Sequence, residues 1–325
     1  QANISPDQIL STDLLLPPDQ VQKAIAHILG SLDDKIELNR QMNETLEEMA
    51  RTIFKSWFVD FDPVKAKMEG RDTGLPQEIA DLFPDRLVES ELGLIPEGWG
   101  VGQIKDLSEH HRQGIHPSNF PEEYFDHYSI PAFAEGRQPK KELGQEIRSN
   151  KYKISKDSVL LSKLNPKAPR LWVPYPSNDR KAVCSTEFLD IRPKLPFDRT
   201  YLYGLFSSEV FIEKFQSLVT GTSSSHQRVK PKDFQEIKTT IPIQKVAEEF
   251  SNKAEPFLDS IAENLTEINY LSSIRDTLLP KLISGELRVP ELTDHVSSSL
   301  AVLEAFGYDV LLIDRKTFPR DKLCG

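Results

Sequence analysis

The sequence predicts one α/β (α+β) block carried on two long antiparallel coiled-coil helices, and three observations predict it. First, a stretch of about 70 residues recurs without a gap 225 positions later, the sign of a structural repeat. Ile4/Val229, Pro6/Pro231, Ile9/Phe234, Leu16/Ile241, Pro17/Pro242, Val21/Val246, Ile25/Phe250, Leu32/Phe257, Ile36/Ile261, Asn39/Asn264, Leu46/Leu271, Met49/Ile274 and Ile53/Leu278 fall in register. Second, each copy ends in apolar residues at heptad spacing, the pattern of a helix that pairs along one seam. Third, the segment between the copies alternates short apolar runs with Pro and Gly, as strands and turns do.

Taken in order, residues 1–18 hold an Asx/Ser turn at 3–6 and a short apolar strand at 14–16 stopped by Pro17 and Pro18. They read as the remnant of a domain whose beginning is absent. Asp19 then caps a helix predicted to run to about residue 60, so that 19–61 forms the first long helical segment. Ile25, Leu32, Asn39, Leu46 and Ile53 occupy its a positions, flanked by Ile28, Leu29, Ile36, Met42, Met49 and Trp57. At about 1.5 Å per residue it extends roughly 60 Å. Residues 62–96 form a connector punctuated by Pro and Gly.

The central block, 97–242, carries strands predicted at 103–107, 128–132, 159–164, 171–173 and 188–192, then a helix over 198–217. A polar loop follows, from Thr220 through Gly221, Thr222, Ser223, Ser224, Ser225, His226 and Gln227 to Arg228, and leads into the repeated Val229–Pro231 turn. The second long helix, 244–284 within the segment 243–290, places Phe250, Phe257, Asn264, Leu271 and Leu278 at a and closes with Gly285 and Pro290. If the helices pair about a pseudo-two-fold axis, Asn39 and Asn264 meet at the crossing, where a polar residue sets register at some cost in stability. Two unrelated exposed asparagines are the plainer alternative. Residues 291–325 make up a tail with no counterpart in the repeat.

Composition narrows the function classes. The chain has 325 residues, 38% hydrophobic and 28% charged, which fits a globular protein. No apolar run has the length of a membrane span, which makes the cytoplasm the default compartment. Cys184 and Cys324 are far apart and form neither a disulfide framework nor a CxxC knuckle. The net charge is −10, but between Ile95 and Thr240 there are 22 Lys/Arg against 18 Asp/Glu, leaving 18 against 32 elsewhere. A mildly basic centre on an acidic frame permits a local phosphate-binding face.

Three segments carry a resemblance. They are Leu16–Pro18 followed by Gln22-Lys23-Ala24-Ile25-Ala26-His27-Ile28-Leu29-Gly30-Ser31-Leu32-Asp33-Asp34-Lys35-Ile36-Glu37-Leu38-Asn39; then Ile53-Phe54-Lys55-Ser56-Trp57-Phe58-Val59-Asp60-Phe61-Asp62-Pro63; and Leu94-Ile95-Pro96-Glu97-Gly98-Trp99. With Leu279-Pro280-Lys281-Leu282-Ile283-Ser284-Gly285-Glu286-Leu287, they make residues 1–292 resemble the specificity (S) subunits of type I restriction-modification enzymes. The resemblance implies two target-recognition domains separated by two conserved helices, each domain reading half of a bipartite site in double-stranded DNA. It also implies a noncatalytic subunit that recruits methyltransferase (modification) subunits and a restriction translocase subunit, which supply the S-adenosylmethionine, ATP and magnesium chemistry. The sequence departs from the family by opening at what would be the last strand of the first recognition domain, so that 97–242 is the complete second one. Half-subunits of the family resemble a full one by self-pairing.

The tail segment Tyr308–Gly325 resembles the second strand and following loop of flavin-dependent reductases of the geranylgeranyl reductase type, with Asp314 at the position of the ribose-binding acid. No GxGxxG turn precedes it, and the reading is a fused or misjoined fragment without flavin activity.

Catalytic motifs are not found. Asn165-Pro166 opens like a methyltransferase box but continues Lys167-Ala168; Pro84-Asp85 lacks the lysine of a nuclease site; and there is no GxxxxGK[ST]. His110, His111, His116 and His127 lack the cysteine partners and regular spacing of a zinc site. DNA reading needs Arg or Lys for guanine, Asn or Gln for adenine, and cations or hydroxyls for phosphate. Three clusters offer them. Thr222, Ser223, Ser224, Ser225, His226, Gln227 and Arg228 form one, with Gln227 and Arg228 as base readers. Lys163, Asn165, Lys167 and Arg170 form the second; Arg112, Gln113 and His116 form the third. Singly, each is an ordinary solvated residue, and the expectation rests on the set. The rival classes are a coiled-coil assembly scaffold and a flavin oxidoreductase.

Overall fold

The computed structural model describes residues 16–220 and 227–287. The early turn, most of the 14–16 strand, residues Thr222 to His226 of the polar loop, and the tail from 291 on lie outside the described residues. Two compact units divide the chain: one is Asn39–Asn269, and the other joins the residues up to Leu38 to those from Tyr270 on.

Helix α1 spans Asp19–Phe58, and a helical turn at Asp62–Met68 precedes a hairpin, β1 Leu87–Ser90 with β2 Gly93–Pro96, inside the expected connector. The central block then contributes β3 Gly100–Gln103, β4 Ser108–His111, β5 Gly114–Ile115, β6 Tyr124–Tyr128, β7 Lys140–Leu143, β8 Lys151–Lys153, β9 Val159–Ser162, β10 Leu171–Trp172, β11 Lys181–Ser185 and β12 Phe188–Pro193. After them come α2 Arg199–Ser207, α3 Glu209–Ser217, β13 Lys238–Ile241 and the second long helix, α4 Gln244–Ser284.

Four strands order as β10-β9-β12-β4 and five as β5-β8-β11-β6-β7, while β13 pairs with β3 and closes the block on itself. Gly102 leaves room there for the Ile241 side chain, which a Cβ would force to move, lying 2.3 Å from Ile241 Cδ1.

Local chemistry explains where these elements depart from the expected ones. The strand expected at 103–107 stops at Gln103, because Asp106 accepts the Gln103 N–H at 2.7 Å and boxes a helical turn over Ile104–Leu107. The strand expected at 128–132 lies earlier, at Tyr124–Tyr128, since Ser129 caps a turn with Pro131 in its first residues. The helix expected over 198–217 is two: Ser208 accepts the Phe211 N–H at 3.3 Å and restarts the helix as α3. β4, β5, β7, β8 and β11 are strands the sequence reading lacked; Lys140–Leu143 and Lys151–Lys153 are mostly charged and carry little apolar signal.

The long helices pair antiparallel in each unit. In the smaller one, Ile25, Leu32, Ile274, Leu278 and Leu282 form an aliphatic cluster beside an Arg275–Asp33 ion pair at 2.9 Å. In the larger one, Asn39 Nδ2 donates to Glu267 Oε2 at 2.7 Å, Asn264 Nδ2 donates to Asn43 Oδ1 at 2.8 Å, and Phe54 meets Phe250 with ring centroids 5.3 Å apart. Both asparagines singled out by the repeat thus sit at the helix seam, each bonded to a neighbour of the other's expected position. The reason is helical drift. A straight helix turns 3.6 residues at a time, so the buried side of α1 passes from Ile25, Leu32 and Asn39 to Asn43, Ala50, Phe54 and Trp57, leaving Met42 and Met49 exposed.

The core of the larger unit runs from the helix pair into the four-stranded sheet. Phe54, Phe58, Tyr201 and Phe250 are all at most 4% exposed and meet edge-on or tilted. Gly204 on α2 allows this, since a Cβ there would stand 2.5 Å from Phe54 and 2.8 Å from Phe250.

Candidate nucleic-acid interface

Strand direction in the four-stranded sheet gathers the expected clusters. β4 and β9 both run antiparallel to β12, with His111 opposite Asp190 and Ser162 opposite Phe188, while Leu171 of β10 lies opposite Leu161. The last residues of β4 and β9 and the first residues of β12 and β10 therefore share one end of the sheet. Arg112, Lys163, Glu187 and Arg170 are the residues that adjoin those strand ends.

Backbone hydrogen bonds tie the polar loop's flanks to the same place. Lys163 N–H donates to Glu187 O at 3.0 Å, Val229 N–H to Lys163 O at 3.0 Å, and Asn165 N–H to Gln227 O at 3.0 Å. Thr220 and Arg228 exchange N–H···O bonds of 3.0 and 3.1 Å, and so pin both flanks of the loop. Segments 163–170 and 227–228, remote in sequence, are thus adjacent. Thr222, Ser223, Ser224, Ser225 and His226 lie outside the described residues.

Individual side chains differ in how they are held. Lys167 is exposed in the β9–β10 connection, where Asn165 takes a left-handed φ of 52° and its carbonyl accepts from Ala168 N–H at 3.1 Å. Arg170 Nη1 is buried without a hydrogen bond, while its carbonyl accepts from Ser162 N–H at 2.9 Å. Arg228 is bound by Glu187, with Nε to Oε2 and Nη2 to Oε1 both at 3.1 Å, and this pairing raises the guanidinium's pKa further. The residue expected to read a base is thus buttressed by a carboxylate.

The third cluster splits. Arg112 is exposed beside the sheet end, and Gln113, also exposed, offers its carbonyl to Lys153 N–H at 2.9 Å. His116 lies past β5, in the five-stranded sheet, and leads into a 3-10 turn at Pro117–Asn119. No hydrogen bond or ion pair joins it to the other two clusters among the described residues.

Two residues of this site were not among the expected ones. Glu187 sits in the turn between β11 and β12, its N–H on Ser185 Oγ at 3.2 Å. His110 lies on β4 opposite Ile191. Burial first, then the positive charges of Arg112 and Lys163, push its pKa down to about 4, so the ring is neutral near pH 7. No sequence signal marks Glu187, whose partner is 41 residues away.

Two of the histidines pair with carboxylates. His127 pairs with Glu142 at 2.5 Å and His111 with Glu109 at 3.4 Å, and no group of three His, Cys, Asp or Glu side chains converges among the described residues. No helix of the described residues is long and apolar enough to cross a membrane.

Residues 1–48 match the family model of the type I restriction modification DNA specificity domain. The chain is similar to the type I restriction enzyme HindI specificity subunit of Haemophilus influenzae, 27% identical over 86% of this chain and 70% of that protein. It is also similar to the MjaIX specificity subunit of Methanocaldococcus jannaschii, 27% identical over 85% of this chain and 61% of that protein. A solved type I restriction-modification S subunit from M. genitalium aligns with a TM-score of 0.48 at 15% identity, covering 85% of this chain and 62% of that one.

Proposed function

We propose that the chain is the noncatalytic DNA sequence-recognition (specificity) subunit of a type I restriction-modification complex. Its central block, 97–242, reads one half-site of double-stranded DNA. The observation that carries the reading is the meeting, at one end of the four-stranded sheet, of Arg112, Lys163, Asn165, Arg170, Gln227 and Arg228, drawn from three separate stretches of sequence. This residue set combines phosphate-binding cations with side chains able to read base edges. The specificity-domain match and the specificity-subunit relatives support it.

The helix pair is the proposed spacer and the docking element for methyltransferase and restriction subunits; exposed Met42 and Met49 on α1 offer apolar surface for it. One reading block recognises one half-site. A split site then needs a second block, supplied by self-pairing or by other residues of the protein.

Selection from a duplex DNA library with a randomised central segment, followed by affinity measurement over a salt series, tests the reading. Enrichment of a short motif, with affinity falling linearly in log salt, is expected. Equal binding to all sequences, or none, would leave the helix-pair scaffold as the better account.

A further inference from the structure

Among the described residues Arg228 is hydrogen-bonded along one edge, and the chemistry of its two edges differs. A guanidinium presents a side edge, Nε with one hydrogen of Nη2, and an end edge, Nη1 with the other hydrogen of Nη2. Glu187 fills the side edge with two hydrogen bonds of 3.1 Å. The end edge, still a two-donor fork, matches the O6 and N7 acceptors of guanine in the major groove.

We infer that Glu187 is a positioning residue for base reading: it locks the Arg228 guanidinium so that the Nη1/Nη2 end reads a guanine. The inference rests on the DNA-recognition reading above and names the pair that does the reading.

Three features of the fold support it. Glu187 is fixed on both sides, because its N–H donates to Ser185 Oγ at 3.2 Å and its carbonyl accepts from Lys163 N–H at 3.0 Å. Arg228 is fixed by its backbone pair with Thr220. Neither side chain is buried out of reach of DNA: Arg228 is 41% and Glu187 29% exposed. Two side chains anchored at their own backbones and joined by two bonds lose little further freedom on binding, the condition for a precise fork.

Charge gives the second half of the argument. A lone arginine next to the Lys163–Asn165 stretch would bind any phosphate and add to sequence-independent affinity. Paired with Glu187 it is close to neutral, and the carboxylate repels phosphate. Glu187 thus removes a nonspecific contact while holding a specific one, so discrimination rises without a matching rise in affinity.

The test uses the full chain and the same randomised duplex library, with R228A, R228K, E187A, E187Q and the E187A/R228A double variant. Wild type is expected to enrich a motif with an invariant guanine. R228A and R228K should lose preference for that guanine by about 5- to 150-fold, the range of one bidentate arginine–guanine pair. E187A and E187Q should erode the same preference while strengthening binding to unrelated duplex, with a salt slope steeper by about 1. In the R228A background, E187A should change the preference no further. E187 variants that keep the guanine preference, or that weaken all sequences in parallel, overturn the inference while the recognition reading stands. A wild type that enriches no motif overturns both.

Discussion

Around Phe250, the fold rests on area: Phe54, Phe58, Tyr201 and Phe250 are almost wholly buried and interlock with centroids 4.7 to 6.4 Å apart. Around Arg228, a short distance away in sequence and in the same unit, it rests on direction: backbone bonds from Lys163, Asn165 and Val229, and a two-bond ion pair to Glu187. The first region tolerates no change of volume and asks little of angle. The second leaves its side chains partly in water, so an exposed ion pair there adds little stability and is explained better by what it orients.

The largest expected effect lies in the aromatic region. Phe250→Ala should destabilise by about 3 to 5 kcal/mol, the cost of removing a buried aromatic from a core that cannot collapse onto the gap. Urea unfolding measures it. A loss no larger than that of a surface substitution would remove area as the distinction between the regions.

Between the two in character is the polar seam of the helices. Asn264→Leu leaves the fully or nearly buried Asn43 without its 2.8 Å partner and should cost about 1 to 3 kcal/mol. The Asn43→Leu/Asn264→Leu double variant should recover most of that loss, since the seam is then apolar on both sides. A double-mutant cycle reads the coupling directly, and additive losses would show that the asparagines do not act as a pair.

A pH-dependent effect is expected at the sheet end. His110 is held neutral in the fold, with its pKa lowered from 6.5 to about 4 by burial, then by Arg112 and Lys163. In that interval the unfolded chain binds the proton more readily, so stability is complete above about 6.5 and declines as pH falls toward 4. His110→Gln should flatten that part of the stability–pH curve, and added salt should weaken the part due to the two cations. An unchanged slope in the variant would place the acid sensitivity elsewhere.

Legibility followed the same division. Both long helices could be read within two residues at their ends, because apolar periodicity over many turns reflects one face meeting one partner. Their exact seam could not: the heptad places Met42 and Met49 inward, whereas the helix turns Asn43 and Ala50 there. Short strands such as Lys151–Lys153 escaped notice because β8 lies between β5 and β11, and its identity as a strand comes from those neighbours rather than from its own residues.

At the candidate site, residue types were visible and their company was not. The sequence by itself determined the repeat, the two helices, the polar stretch before Val229 and the cationic and amide residues available in three places. Only the tertiary structure decided that Arg112, Lys163–Arg170 and Gln227–Arg228 share a sheet end, that His116 stands apart from them, and that Glu187 holds Arg228. The physical reason is range. Helix periodicity is a local property of neighbouring turns, whereas strand direction and an ion pair across 41 residues depend on the path of the whole chain between them.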